Sequence, residues 1–188
     1  MITLVRATEL IGRPVVTLAG DDIAQIKDVV FAAPGGHLIG FTLAGRGRFA
    51  GPLDRALPWD RVHGAGRDAI IVSDGELPTR DELVSRADLR NRDVLGDAVL
   101  TDAGTALGTV TDVVVELGVA PQVAGYQIRT GEALPPAGRT VLIPLPEAMS
   151  VSGEAVVVAA TVAQHATEDL AALGATISSY RARTGESR

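Results

Sequence analysis

Apolar residues in this chain come in short runs rich in valine and isoleucine, each broken by glycine, proline or aspartate, and the runs recur at a fixed spacing. Gly12, Val16, Gly20, Ile23, Ile26, Asp28, Val29 and Val30 are answered by Gly96, Leu100, Gly104, Leu107, Val110, Asp112, Val113 and Val114, a constant offset of 84 residues. Short β-branched runs bounded by turn residues predict antiparallel strands, and self-similarity at one period predicts two modules of one fold. In the first copy, Pro14 to Leu18 and Ile23 to Ala32 flank Ala19-Gly20-Asp21-Asp22, a hairpin whose glycine can take the positive φ of a tight turn. The second copy places Ala98 to Thr101 and Ala106 to Leu117 around Asp102-Ala103-Gly104-Thr105.

Further strands are expected at residues 38–43 and 123–128, offset by 85, and at Leu57-Pro58-Trp59 and Ile143-Pro144-Leu145, offset by 86; the drift marks single-residue insertions in loops. Each copy ends on an apolar strand, Ala69 to Val72 and Ala155 to Val158. A sheet this small and apolar buries its edges best by curling into a barrel. Between the copies, Thr79 followed by Glu82 and Leu83 has the form of a capped helix start. After the second copy, Val162, Ala166, Leu170, Leu173 and Ile177 at spacings of three and four predict a helix with one apolar stripe. The expected fold is mainly β: two small antiparallel β-barrels in tandem, a short helical linker and a C-terminal helix. The expected boundaries are 1–77 and 94–162 for the modules, 78–93 for the linker and 163–188 for the tail.

Composition narrows the function classes. The 188 residues are 46% hydrophobic, enough for a real core, and include no cysteine, which removes disulfides, thiolate metal sites and thiol nucleophiles. The first residues lack a basic segment followed by an apolar core, and no run reaches the ~18 apolar residues of a membrane span, so a cytoplasmic protein is expected. The net charge of −6 is unevenly spread: residues 1–77 carry 8 basic and 9 acidic side chains, residues 94–162 carry 2 and 7. Nucleic acid is held by cations that neutralise phosphates, so neither it nor an anionic membrane is an expected partner.

The Leu-x-Gly opening, the glycine-containing hairpin, the Ile/Val-x-Asp-Val-Val strand, the Gly-aromatic strand (Gly40-Phe41, Gly125-Tyr126) and the Leu/Ile-Pro-Trp/Leu segment resemble the PRC-barrel family, twice over. Members include the cytoplasmic domain of the photosynthetic reaction-centre H subunit and the C-terminal domain of a ribosome maturation factor. The resemblance implies small β-barrels used for docking and no common chemistry. Two positions depart from the family pattern: Gly108 is answered by Ala24, and Trp59 by Leu145.

Strict period-two alternation puts Asp28 on the face of Ile26 and Val30, and Asp112 on the face of Val110 and Val114. Two such acids could share a proton as in aspartic proteases, but here they precede β-branched residues inside strands rather than sitting in an Asp-Thr/Ser-Gly loop. Repeated structural acids, satisfied by backbone N–H groups, are the preferred reading. Arg46, Arg48 and Phe49 in a glycine-rich loop, with Arg55 and Trp59 nearby, are the best candidates for partner contact, because arginine and aromatic residues are enriched at interface hot spots. His37, His63 and His165 are scattered and no metal or cofactor is expected. The function expected is therefore a non-enzymatic interaction or scaffold protein that binds a protein partner, a second copy of itself included. The alternatives are a small-ligand binder or weak enzyme using the cleft between modules, and a ribosome- or RNA-associated factor by family analogy.

Overall fold

The computed structural model describes residues 3–32, 36–47, 50–73, 76–85, 94–145, 150–152 and 155–185. The first elements are β1 (Thr3–Arg6), α1 (Ala7–Leu10), β2 (Pro14–Thr17), β3 (Asp22–Ala32), β4 (His37–Ala44), β5 (Pro52–Pro58), a 3-10 turn (Trp59–Arg61), β6 (Val62–Ala65), β7 (Ile70–Val72) and α2 (Arg80–Val84). They are followed by β8 (Ala98–Thr101), β9 (Ala106–Leu117), β10 (Gln122–Thr130), β11 (Thr140–Pro144), β12 (Ser150–Ser152), β13 (Ala155–Val158), a 3-10 turn (Ala160–His165) and α3 (Leu170–Gly185). The chain divides into two compact units. The first-copy unit is Ala7–Arg92 with Val119–Gln122, and the second-copy unit is Met1–Arg6, Asp93–Gly118 and Val123–Arg188.

The repeated hairpin is the same device in both units, down to its hydrogen bonds. β2 pairs antiparallel with β3, and β8 with β9. Thr17 N–H donates to the Asp21 carbonyl and Gly20 N–H to the Thr17 carbonyl, both at 2.9 Å; Thr101 to Thr105 and Gly104 to Thr101 match them at 2.8 Å. The threonine hydroxyl closes each turn, accepting from Asp21 N–H at 3.1 Å and from Thr105 N–H at 3.0 Å. Gly20 and Gly104 take the positive φ, 95° and 79°, that the turn requires.

Beyond the hairpin, β3, β4 and β5 form an antiparallel meander, and β9, β10 and β11 follow the same order. The closing strands are parallel rather than antiparallel to their neighbours: β7 lies along β2 with Val16 beside Ile71, and β13 along β8 with Leu100 beside Val157. Each closing strand returns by a hairpin from β6 or β12, so its direction is set by that hairpin and not by the edge it joins.

Each unit carries a helix over the same part of its sheet. In the first-copy unit Leu83 of α2 packs on Val30, Ala56 and Ile39. In the second, Leu173 and Ile177 of α3 pack on Val114, Ala124 and Leu142, the repeat equivalents of those residues. The chain leading into each helix makes the same backbone bond, Ala56 N–H to the Pro78 carbonyl at 3.0 Å and Leu142 N–H to the Thr167 carbonyl at 2.7 Å. The linker helix therefore belongs to the barrel before it, with the Glu82 carboxylate accepting from Thr79 N–H at 2.9 Å as the sequence predicts. The tail helix starts later than its apolar stripe suggests. Thr167 needs extended backbone to pair with Leu142, so Val162 is buried in a separate 3-10 turn, and Asp169 Oδ1 caps α3 by accepting from Ala172 N–H at 2.8 Å.

The N-terminal strand lies by sequence in the first copy but pairs outside it. β1 pairs antiparallel with β9, Thr3 opposite Leu117 through Arg6 opposite Val114, so its partners lie in the second copy. Four residues carry too little pattern to name a partner strand.

Candidate functional site

The repeated acids occupy different surroundings. In β3 a bulge between Ile26 and Asp28 breaks the alternation, turning Lys27 and Asp28 outward together. The Asp28 side chain is 59% exposed, beside Lys27 Nζ at 3.6 Å, and accepts from Thr42 Oγ1 at 3.1 Å. Asp112 is 3% exposed and accepts from its own Val113 N–H at 2.8 Å. A proton-sharing pair needs two carboxylates in like, water-poor surroundings; an exposed Asp28 does not supply one.

The expected basic and aromatic contact set is split along the β4–β5 hairpin. Arg46 stands at its turn, where Nη2 meets Asp22 Oδ2 at 2.6 Å. Arg48 and Phe49 lie outside the described residues. Trp59 follows the far end of β5, roughly 20 Å from the turn at ~3.3 Å per residue, and its half-buried ring tilts on Phe41 with centroids 6.1 Å apart. Arg55 Nη1 donates to the Leu77 carbonyl at 2.8 Å, on the wall of an open groove of about 650 Å³ that Pro58, Asp60, Arg61 and Glu76 also line. Among the described residues no three His, Asp or Glu side chains are placed to hold a metal, and His165 instead stands edge-on to Tyr180 at 5.0 Å.

Two large apolar side chains of the first-copy unit stand exposed at the β2–β3 turn, whose Asp22 pairs with Arg46. Leu18 and Ile23, on the two sides of the β2–β3 turn, are 56% and 41% exposed. Ile23 is the extra residue of a bulge, between the Val15–Ala24 and Val16–Asp22 pairs; its equivalent Leu107 is the extra residue of the same bulge, yet is buried at 2%. The backbone around the two positions differs: Gly131 N–H donates to the Leu107 carbonyl at 2.8 Å, whereas Gly45 N–H turns back to the Gly51 carbonyl at 3.1 Å. Leu18 is answered by Asp102, whose carboxylate accepts from Ala160 N–H at 3.0 Å. Leu18 was within reach of sequence reasoning, since an apolar residue beside a tight turn that its repeat replaces with aspartate is a surface signal; Ile23, answered by Leu107, carried no such signal.

The PRC-barrel domain model matches the chain twice, over residues 2–77 and 88–165. This chain belongs to the PRC-barrel family. No curated protein matches it. The match to both copies agrees with the strand order that the two PRC-barrel units share.

The second PRC-barrel copy carries Tyr126 where the first has Phe41, and Asp97 where the first has Arg13. Tyr126 is 4% exposed, and burial, with the Asp97 charge adding to it, pushes its phenol up to about 12. Among the described residues Asp97 Oδ2 is buried without a hydrogen-bond partner, which sharpens the repulsion a phenolate would meet. Because the folded state holds this proton more tightly than the unfolded chain, whose tyrosine titrates near 10, the contribution is full below pH 10 and is lost as pH rises from 10 to 12. Urea midpoints should fall over that window by an amount equivalent to ~2–3 kcal/mol, and Tyr126→Phe, a side chain that Phe41 shows the fold accepts, should flatten the fall. An unchanged alkaline slope in Tyr126→Phe would place the titrating group elsewhere.

Proposed function

We propose that this PRC-barrel protein is a non-enzymatic docking protein of the cytoplasm, and that a protein partner seats on the β2–β3 turn of its first-copy unit. The observation that carries the reading is the contrast between equivalent positions: Leu18 and Ile23 stand exposed beside the Asp22–Arg46 ion pair, where the second copy has Asp102 and a covered Leu107. An apolar centre with an arginine at its rim is the composition of a protein-binding patch. The cysteine-free composition suits a reducing compartment, and among the described residues no helix is long and apolar enough to cross a membrane.

The reading is tested by comparing the wild-type chain with Leu18→Asp/Ile23→Asp in cross-linking and mass spectrometry from the native cell. Both side chains are exposed, so stability should stay within ~0.5 kcal/mol of wild type while cross-links to the partner disappear. Cross-links that persist in the folded double variant would move the docking surface elsewhere.

A further inference from the structure

By sequence the strand Thr3–Arg6 opens the first copy, since the family match to that copy starts at residue 2, yet it completes the sheet of the second. The site that receives it is closely fitted. β9 offers its backbone from Val114 to Leu117 in antiparallel register. Leu4 packs on Val114, Ala124, Leu142, Leu173 and Ile177 beneath α3. Arg6 Nε donates to Gln127 Oε1 at 2.7 Å. Arg181 of α3 closes on Glu116, the cross-strand neighbour of Leu4, with two bonds of 2.9 and 2.6 Å. This is a strand-addition site in which main-chain bonds supply affinity while a leucine socket and a glutamine acceptor supply selectivity.

The occupant is a four-residue strand near the start of the chain, joined to a different compact unit through the Arg6–Ala7 peptide bond. We propose that the β9 slot also takes the Thr3–Arg6 strand of a second copy of this chain, producing a strand-exchanged dimer. Every contact of the exchanged strand is one that the monomer already makes, so the energies of the slot cancel between the two forms. What remains is a competition between the tethered strand and a free one, decided by effective concentration, which for short tethers is in the millimolar range. The β9 slot and the β2–β3 turn belong to different units and share no residue, so this inference does not rest on the docking proposal.

The cysteine-free chain makes the test clean. Thr3 and Leu117 are cross-strand partners, both reached by solvent, and directly opposed antiparallel residues lie at a Cα separation that a disulfide spans. Thr3→Cys/Leu117→Cys locks the strand in its own slot when oxidised. The wild-type chain, refolded from urea at protein concentrations up to about 1 mM, should show a dimer by light scattering whose share rises with concentration. The oxidised lock should abolish that dimer and reduction should restore it. Mixing the two single-cysteine chains should in addition give a disulfide-linked heterodimer, several-fold less when the Thr3→Cys chain also carries Leu4→Asp. A wild-type chain that is monomeric throughout, or a dimer that survives the oxidised lock, would overturn the proposal.

Discussion

Gly40→Ala and Gly125→Ala are each expected to destabilise their own unit by about 2–4 kcal/mol, far more than a methyl group usually costs. At Gly40 a Cβ would stand against the Leu57 carbonyl oxygen and 2.8 Å from Pro58 Cα; at Gly125 it would stand against the Ile143 carbonyl oxygen and 3.4 Å from Pro144 Cα. The obstruction is backbone on the neighbouring strand, so relief requires moving β5 from β4 or β11 from β10. Those strands hold the Phe41–Leu57 and Tyr126–Ile143 pairs in register, and all four of those side chains are buried. Intrinsic probes separate the two outcomes. Trp59, the single tryptophan, belongs to the first-copy unit, and Tyr126 to the second. Urea unfolding followed by tryptophan emission should show the loss in Gly40→Ala, and far-UV circular dichroism should show it in Gly125→Ala. A midpoint shift worth less than about 0.5 kcal/mol in either variant would mean that the strands separate freely at that point.

The same positions show what the sequence made legible. The expected strands at 38–43 and 123–128 each carry a glycine followed by an aromatic residue at an offset of 85, and the structure adds the neighbouring-strand carbonyls that stand against each glycine. The hairpins, the capped helix at Thr79 and the apolar stripe of Leu173 and Ile177 were legible for a similar reason: each is specified by neighbours within a few residues. What was not legible depends on partners distant in sequence. The bulge that turns Asp28 outward arises from how β3 meets β4, and period-two alternation cannot register an inserted residue. Ile23 and Leu107 share a repeat position and a bulge, yet differ in exposure, and the loop that bonds the Leu107 carbonyl lies more than twenty residues downstream. The pairing of β1 with β9 spans more than a hundred residues, and four residues of alternation fit many edges equally well. Of the expected contact residues, Arg46 lies beside the apolar turn, while Trp59 lies at the other end of the hairpin, facing the core as much as the solvent.

Phe41→Ala should be the most damaging truncation in the first-copy unit, at ~3–5 kcal/mol, and it also decides how Trp59 is to be understood. Phe41 is fully buried, so removing its ring leaves a cavity in a close-packed interior and takes away the surface on which Trp59 rests at 58°. If Trp59 is held chiefly by that contact, its emission should shift to longer wavelength in folded Phe41→Ala, as the indole gains water. Trp59→Ala and Phe41→Ala should then be non-additive, with a double-mutant coupling of roughly 1 kcal/mol followed by circular dichroism. A packing role of this size would make Trp59→Ala a poor probe of docking, since any loss of partner would be mixed with loss of fold. A coupling near zero would instead free Trp59 from the core and return it, with Arg55, to the contact surface expected of an arginine and aromatic set.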